Sequence, residues 1–275
     1  MEAYHLTRSK RKSLSIVIGK DGTIQVKAPN WLPKYKIDQF IQQKADWIQE
    51  KQREISMLEQ QKPVHTFREG DCFLFQGETY RLAFGSGNRH KGRESRGSAK
   101  AAESAEFSDR KQFGRAYRGI ALEESEKLFI MEPGLETEAT MFETGPGFVR
   151  ERIEEWYLFQ AKQIFPERVS QYYPLVSRLA GSLGKEIGPV NRISVRNQKT
   201  RWGSCSSKGN LNFNWRLVMA PAGILDYVVI HELCHLAYLN HSSQFWHLVS
   251  GVLPDWKERR SWLKANGPLL EWENF

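Results

Sequence analysis

The sequence predicts an α+β fold, and three observations predict it. Runs of alternating polar and apolar residues recur near the start, in the middle and around residue 200 of the 275. A long amphipathic helical pattern separates the middle runs from the last ones. An apolar helical run carrying His231, Glu232 and His235 follows the last strand pattern. The chain reads as an N-terminal β-rich lobe of hairpins and a helix over 1–85, and a polar insertion over 86–119. A strand and polar loop over 120–147 and a sheet-plus-helix domain over 148–275 complete it.

The elements follow in order. Residues 4–28 predict a β-hairpin, because LSIVI and TIQVKA flank the turn signal Asp21-Gly22. Ile37, Phe40, Ile41, Ala45, Ile48 and Ile55 recur at helical spacing and predict one helix from Ile37 to about Leu58. Residues 71–84 predict a second hairpin around Gln76-Gly77. Residues 85–119 are rich in Gly, Ser, Ala, Arg and Glu and nearly free of aliphatics. Their apolar surface is too small to offset the entropy of ordering, so a disordered insertion is expected.

A strand over 120–131 and a polar loop over 132–147 come next. A helix is expected from Phe148 to Phe165, with Pro166 breaking it and a second helical stretch reaching about Ala180. NRISVRNQ and NLNFNWRLV alternate as strands, with Leu211, Phe213 and Trp215 on one face of the second. Trp202-Gly203-Ser204 reads as a tight turn between them. Pro221 suits a helix start, and a helix is expected from Ala222 to near Asn240. Two more follow, Ser243–Leu253 and a last one after Pro254.

Composition excludes several classes. With 9 Trp, 15 Phe, 9 Tyr and 40% hydrophobic residues the chain is not wholly disordered. No stretch approaches the roughly 18 uninterrupted apolar residues of a membrane span. The start has no apolar segment of the secretory kind. Cys72, Cys205 and Cys234 are too few and scattered for a disulfide framework, which places the protein in the cytoplasm. The formal net charge of +8 is local: residues 1–12 carry +3 and residues 88–118 carry +5. Phe107, Phe113 and Tyr117 lie in the second segment, where they could stack on nucleic-acid bases. Four acidic residues and a disorder-like composition favour a solvated linker instead.

His231-Glu232-Leu233-Cys234-His235 is the pattern that carries chemistry. Two His four apart share one helical face and can grip one zinc ion, and Glu232 beside the first can act as general base. The apolar run before them (Ile224, Leu225, Val228, Val229, Ile230) buries this helix, where two His and a Glu are costly without a partner. A third ligand is needed, and His241, His247 and Glu258 are the candidates. On a continuous helix His241 would be rotated about 600° from His235. The chain must therefore turn near Asn240, and His241 is favoured on ligand geometry. His247 reads as a packing or surface residue, and Glu258 sits in a charged run typical of a solvated face.

NRISVRNQKTRWGSCSSKGNLNFNWRLV, then Pro221, then LDYVVIHELCHLAYLNHSSQFW, resembles the YgjP-like family of zinc metallopeptidases, distant relatives of the SprT-like proteases. VKAPNWLP and the KADWIQ helix extend the likeness over most of the chain except about 86–147. The resemblance implies His231, His235 and His241 as zinc ligands, Glu232 as catalytic base, a zincin-like minidomain behind the N-terminal lobe, and protein or peptide substrates. The long polar insertion departs from the family pattern. A second reading keeps the metal and hydrolyses nucleotide pyrophosphates, although no Gly-rich loop of the Walker kind is present. A third uses residues 88–118 to bind nucleic acid.

Other residues carry two readings each. Asn210–Trp215 reads equally as an edge strand for an extended peptide or as an ordinary sheet strand. Tyr227 and Tyr238 could donate to a transition-state oxyanion, although helix-core packing is the simpler role. Cys234 reads as a small buried residue, and Cys205 as a thiol near the zinc.

Overall fold

The computed structural model describes residues 3–19, 21–85, 120–123, 127–131, 145–198 and 200–272. The expected disordered insertion, and the loop over 132–144, lie outside the described residues. Among the described residues no helix is long and apolar enough to cross a membrane. The chain divides into two compact units, Met1–Pro63 with Glu271–Phe275, and Val64–Leu270.

The first unit begins with three strands, β1 (Tyr4–Ser9), β2 (Ser15–Ile18) and β3 (Ile24–Pro29), in the order β1-β3-β2. β2 and β3 form the expected antiparallel hairpin. Its turn places Gly22 at φ 77, and the Asp21 carboxylate accepts from the Thr23 amide at 3.1 Å. β1 was not distinguished by the hairpin reading; it joins the other edge of β3, in parallel. Two helices follow, α1 (Lys34–Gln43) and α2 (Ala45–Gln61), where one was expected. Lys44 leaves the helical region between them at φ −105, ψ 11. The periodicity survives the break because both helices bury the same kind of residue. Ile37, Ile41 and Ile48 pack with Ile24, Val26 and Ala28 in one core.

The second unit opens with a four-stranded sheet ordered β4-β5-β7-β6. β4 (Cys72–Phe75) and β5 (Glu78–Phe84) are the predicted hairpin. The single strand expected over 120–131 is instead a pair, β6 (Ile120–Glu123) and β7 (Leu128–Met131), antiparallel to each other. α3 (Pro146–Ser182) runs uninterrupted through Pro166 and Pro174. The predicted break at Pro166 does not occur. An interior Pro removes one backbone bond at a cost of about 3 kcal/mol. Burial on both sides offsets it here: Ala161, Ile164, Phe165 and Val169 flank Pro166, and Val176 and Ala180 follow Pro174.

Trp156 of α3 is fully buried, its ring 4.6 Å from Phe129 and 5.0 Å from Phe75 between centroids. It joins the first sheet to the long helix. Trp156→Ala should therefore destabilise the unit by about 3–5 kcal/mol, read as a lower urea midpoint with an unchanged slope.

The second sheet is ordered β8-β10-β9, from β8 (Arg192–Arg196), β9 (Gly203–Cys205) and β10 (Asn210–Asn214). β10 is the central strand, parallel to β8 and antiparallel to β9. Of the two readings open for Asn210–Trp215 the ordinary sheet strand holds, and one expectation is corrected: Gly203-Ser204 is not a turn but the start of the edge strand. Strand order depends on pairing across distant segments, which alternation within one strand does not report.

After β10 a short 3-10 turn (Trp215–Met219) leads to α4 (Ala222–Cys234), α5 (Ser243–Val252) and α6 (Trp256–Asn266). The β4-β5 turn docks on this segment. The amides of Gln76 and Gly77 donate to the carbonyls of Val218 and Met219 at 2.7 and 3.0 Å. Gly77, at φ 86, lies so close to Pro221 that a Cβ would stand 2.9 Å from its ring. The N-terminus of α4 is thereby fixed.

Candidate metal centre

α4 is apolar on nearly every side, with Ile224 to Ile230 all buried, and such a helix belongs in the interior. Its last turn carries His231, Glu232 and Cys234, and His235 caps it. The helix stops here rather than near Asn240. The Leu236, Ala237 and Tyr238 amides continue in tight turns on the carbonyls of Leu233 and Cys234. The chain therefore turns one residue after the metal motif and has room to bring His241 back.

Three imidazoles converge. One ring nitrogen from each of His231, His235 and His241 lies within 4.8 Å of the other two. Their ring centroids are 4.8–5.0 Å apart. Nε2 of His241 stands 3.0 Å from Nε2 of His231. Nδ1 of His235 meets the Tyr238 carbonyl at 2.9 Å. With a proton on Nδ1 donated to that oxygen, the Nε2 lone pair of His235 is left free for a metal. Burial, with His235 and His241 nearby, pulls the His231 imidazole down to about 3, so it is neutral at neutral pH. Burial also lowers His235, against the bond to Tyr238. Neutral, convergent imidazoles are what a divalent cation requires, and two protonated ones here would repel. The donor set fits a metal.

The fully buried ring of Phe245 lies 4.5–4.9 Å from all three imidazoles. Trp246 stacks on His241 at 5.5 Å and on Trp256 at 4.3 Å. Ser242 caps α5, its hydroxyl accepting from the Phe245 amide at 3.3 Å. The cap sets both aromatics against the cluster.

Glu232 is 5% exposed, and its Oε2 has no hydrogen-bond partner among the described residues. Burial raises its carboxyl to about 8, opposed by the Arg201 charge. A cation held by the neighbouring imidazoles acts in the same direction as Arg201. β9 lies directly over this carboxylate. The inward face of the sheet pairs Phe213 with Gly203 and Leu211 with Cys205. Burial raises the Cys205 thiol to about 11, and the Glu232 charge adds to the shift.

Asn214 holds the approach to β9. Its side-chain amide donates to the carbonyls of Gln198 and Arg201 at 2.8 and 3.3 Å, and its Oδ1 accepts from the Arg216 amide at 3.2 Å.

The remaining expected residues fall elsewhere. His247 is exposed on α5 and Glu258 is exposed in the first turn of α6, neither with the cluster. Tyr227 is buried with its ring 5.8 Å from His231. Tyr238 sits in the turn after α4, contributing its carbonyl. Cys234 is fully buried, and burial pushes its thiol up to about 12. Phe245, Trp246, Gly203 and Asn214 were missed as site residues. The cap at Ser242 was a readable signal for the first two, whereas Gly203 and Asn214 act across sequence-distant contacts.

A family described as "YgjP-like, metallopeptidase domain" matches residues 12–131 and 112–266. The crystal structure of the metallopeptidase zymogen of Pyrococcus abyssi abylysin is similar at 27% identity, over 35% of this chain and 93% of that one, with a TM-score of 0.29. No curated protein matches the chain. The family match spans both sheets of the second unit and the histidine cluster, and the mixed sheet-and-helix architecture agrees with a zincin-like metallopeptidase. The chain belongs to the YgjP-like metallopeptidase family and is a metal-dependent hydrolase.

Proposed function

We propose that this protein is a zinc peptidase in which His231, His235 and His241 hold the metal and Glu232 is the general base. The convergence of three imidazoles beside a buried carboxylate with an unpartnered oxygen carries this reading. Three imidazole nitrogen donors suit zinc and leave a position open for chemistry. When bound, zinc supplies Lewis acidity, which makes water a better nucleophile and the peptide carbonyl a better electrophile. Glu232 takes the proton of the attacking water and later returns it to the leaving amine. Its burial favours this exchange, because a carboxylate deprived of water is a stronger base. Among the described residues β9 is an edge strand beside Glu232, and an extended peptide pairing with it would lay the scissile bond across the site.

The test is metal analysis together with hydrolysis of an unfolded protein. The purified chain should hold about one zinc. Chelation should stop cleavage, and added zinc should restore it. A chain without stoichiometric metal, or one that cleaves equally well after chelation, would overturn the reading. Nucleoside triphosphates form the control arm, and pyrophosphate release there without peptide cleavage would reassign the substrate class.

A further inference from the structure

We infer that Gly203 is a positioning residue for Glu232: it is glycine because the strand that lies on the general base has no room for a Cβ. The inference rests on the peptidase reading for its catalytic consequence, but its geometric core stands alone. A Cβ on Gly203 would lie 2.6 Å from Glu232 Oε1, 2.8 Å from Cγ and 2.9 Å from Cδ. Real Cβ contacts do not come this close. Gly203 is not among the positive-φ glycines, so its backbone conformation is open to any residue. What excludes a side chain is the carboxylate itself.

The neighbouring contacts explain why the base cannot simply move aside. Oε1 is the end of a flexible chain, but Cγ is not, and clearing Cγ requires a different rotamer. Glu232 is buried, so few rotamers are open to it. The edge strand cannot retreat either. β9 is paired to β10 through Leu211–Cys205 and Phe213–Gly203, and the Asn214 amide donates to the Trp202 carbonyl at 2.9 Å. Phe213 in turn stacks on Phe165 of α3, with ring centroids 4.5 Å apart. Both sides of the contact are held, and the missing Cβ lets them meet. The strand offered to a peptide and the carboxylate that activates water are therefore set against each other by one atom's absence.

Gly203→Ala should lower kcat on an unfolded-protein or peptide substrate about 100-fold, the scale of an ångström of misplacement at a reacting group. KM should stay within about twofold and zinc content should not change, since uniform binding and the ligands are untouched. In a Glu232→Gln background the same change should add nothing to the loss. Thermal unfolding gives a readout that needs no activity. Gly203→Ala should lower Tm in the wild type and leave it unchanged in Glu232→Ala, which removes Cγ, Cδ and Oε1 together. If Gly203→Ala alone does not fold, folding of Gly203→Ala/Glu232→Ala supports the contact, and failure of both variants overturns it. An undiminished kcat, or a Tm loss that persists without Glu232, also overturns it. Absence of zinc or of hydrolysis in the wild type would remove the peptidase reading and leave the 203–232 coupling in Tm intact.

Discussion

Glu232→Gln is expected to reduce peptide hydrolysis on the order of a thousandfold while leaving the metal bound. The amide keeps the size of the carboxylate but cannot accept the proton of water. The variant should be folded and at least as thermally stable as the wild type. A buried carboxylate raised to about 8 is ionised in the unfolded chain well below that value, so its burial weakens the metal-free fold above the ordinary carboxylate range. Gln carries no such penalty. Zinc content and turnover should thus separate cleanly. A Gln variant retaining more than about a tenth of wild-type turnover would show that another group takes the proton, since such a group contributes at least about a hundredfold.

His241→Ala is expected to empty the metal centre. The His231 and His235 imidazoles would remain on one helix face, but two nitrogen donors rarely hold zinc against dilution. Zinc content should fall from about one per chain to near zero at micromolar protein, and activity should fall with it. The wild type should gain thermal stability on adding zinc, because a ligand that binds only the folded state stabilises it, whereas the variant should gain little. His247→Ala is the control: His247 is exposed on α5 and away from the cluster, so both zinc content and turnover should persist. Equal zinc retention by the two variants would displace His241 as a ligand.

Local spacing made part of this molecule readable. The Asp21-Gly22 hairpin, the Gln76-Gly77 hairpin and the histidine pair of α4 depend on neighbours within a few residues, and pattern reports these well. The need for a turn before His241 was legible from helical rotation, although the turn comes at His235 to Tyr238 rather than at Asn240. Elsewhere tertiary packing overrode local preference. Pro166 should end a helix by itself, but buried residues on both sides hold α3 through it. Lys44 divides a periodic run that carries no Gly or Pro at the break. The alternation of β10 left edge and interior positions equally open, and it is central because β8 and β9 pair on either side of it. Gly203 looked like turn punctuation, since nothing near it in sequence reveals the carboxylate it touches.

The three imidazoles all arise from one stretch, His231 to His241, and this locality has a kinetic meaning. Closing a loop of about ten residues takes only tens of nanoseconds. The grip on a cation can therefore form early, from a helix end and the turn after it. The orientation of Glu232 depends on a contact of longer reach, because β9 must settle on α4 across the intervening chain, and contacts distant in sequence form later on average. A chain caught between these two events would carry metal and yet lack a directed base. On the proposed reading, a bound metal would mark a completed ligand set, and only the docked sheet a finished catalyst.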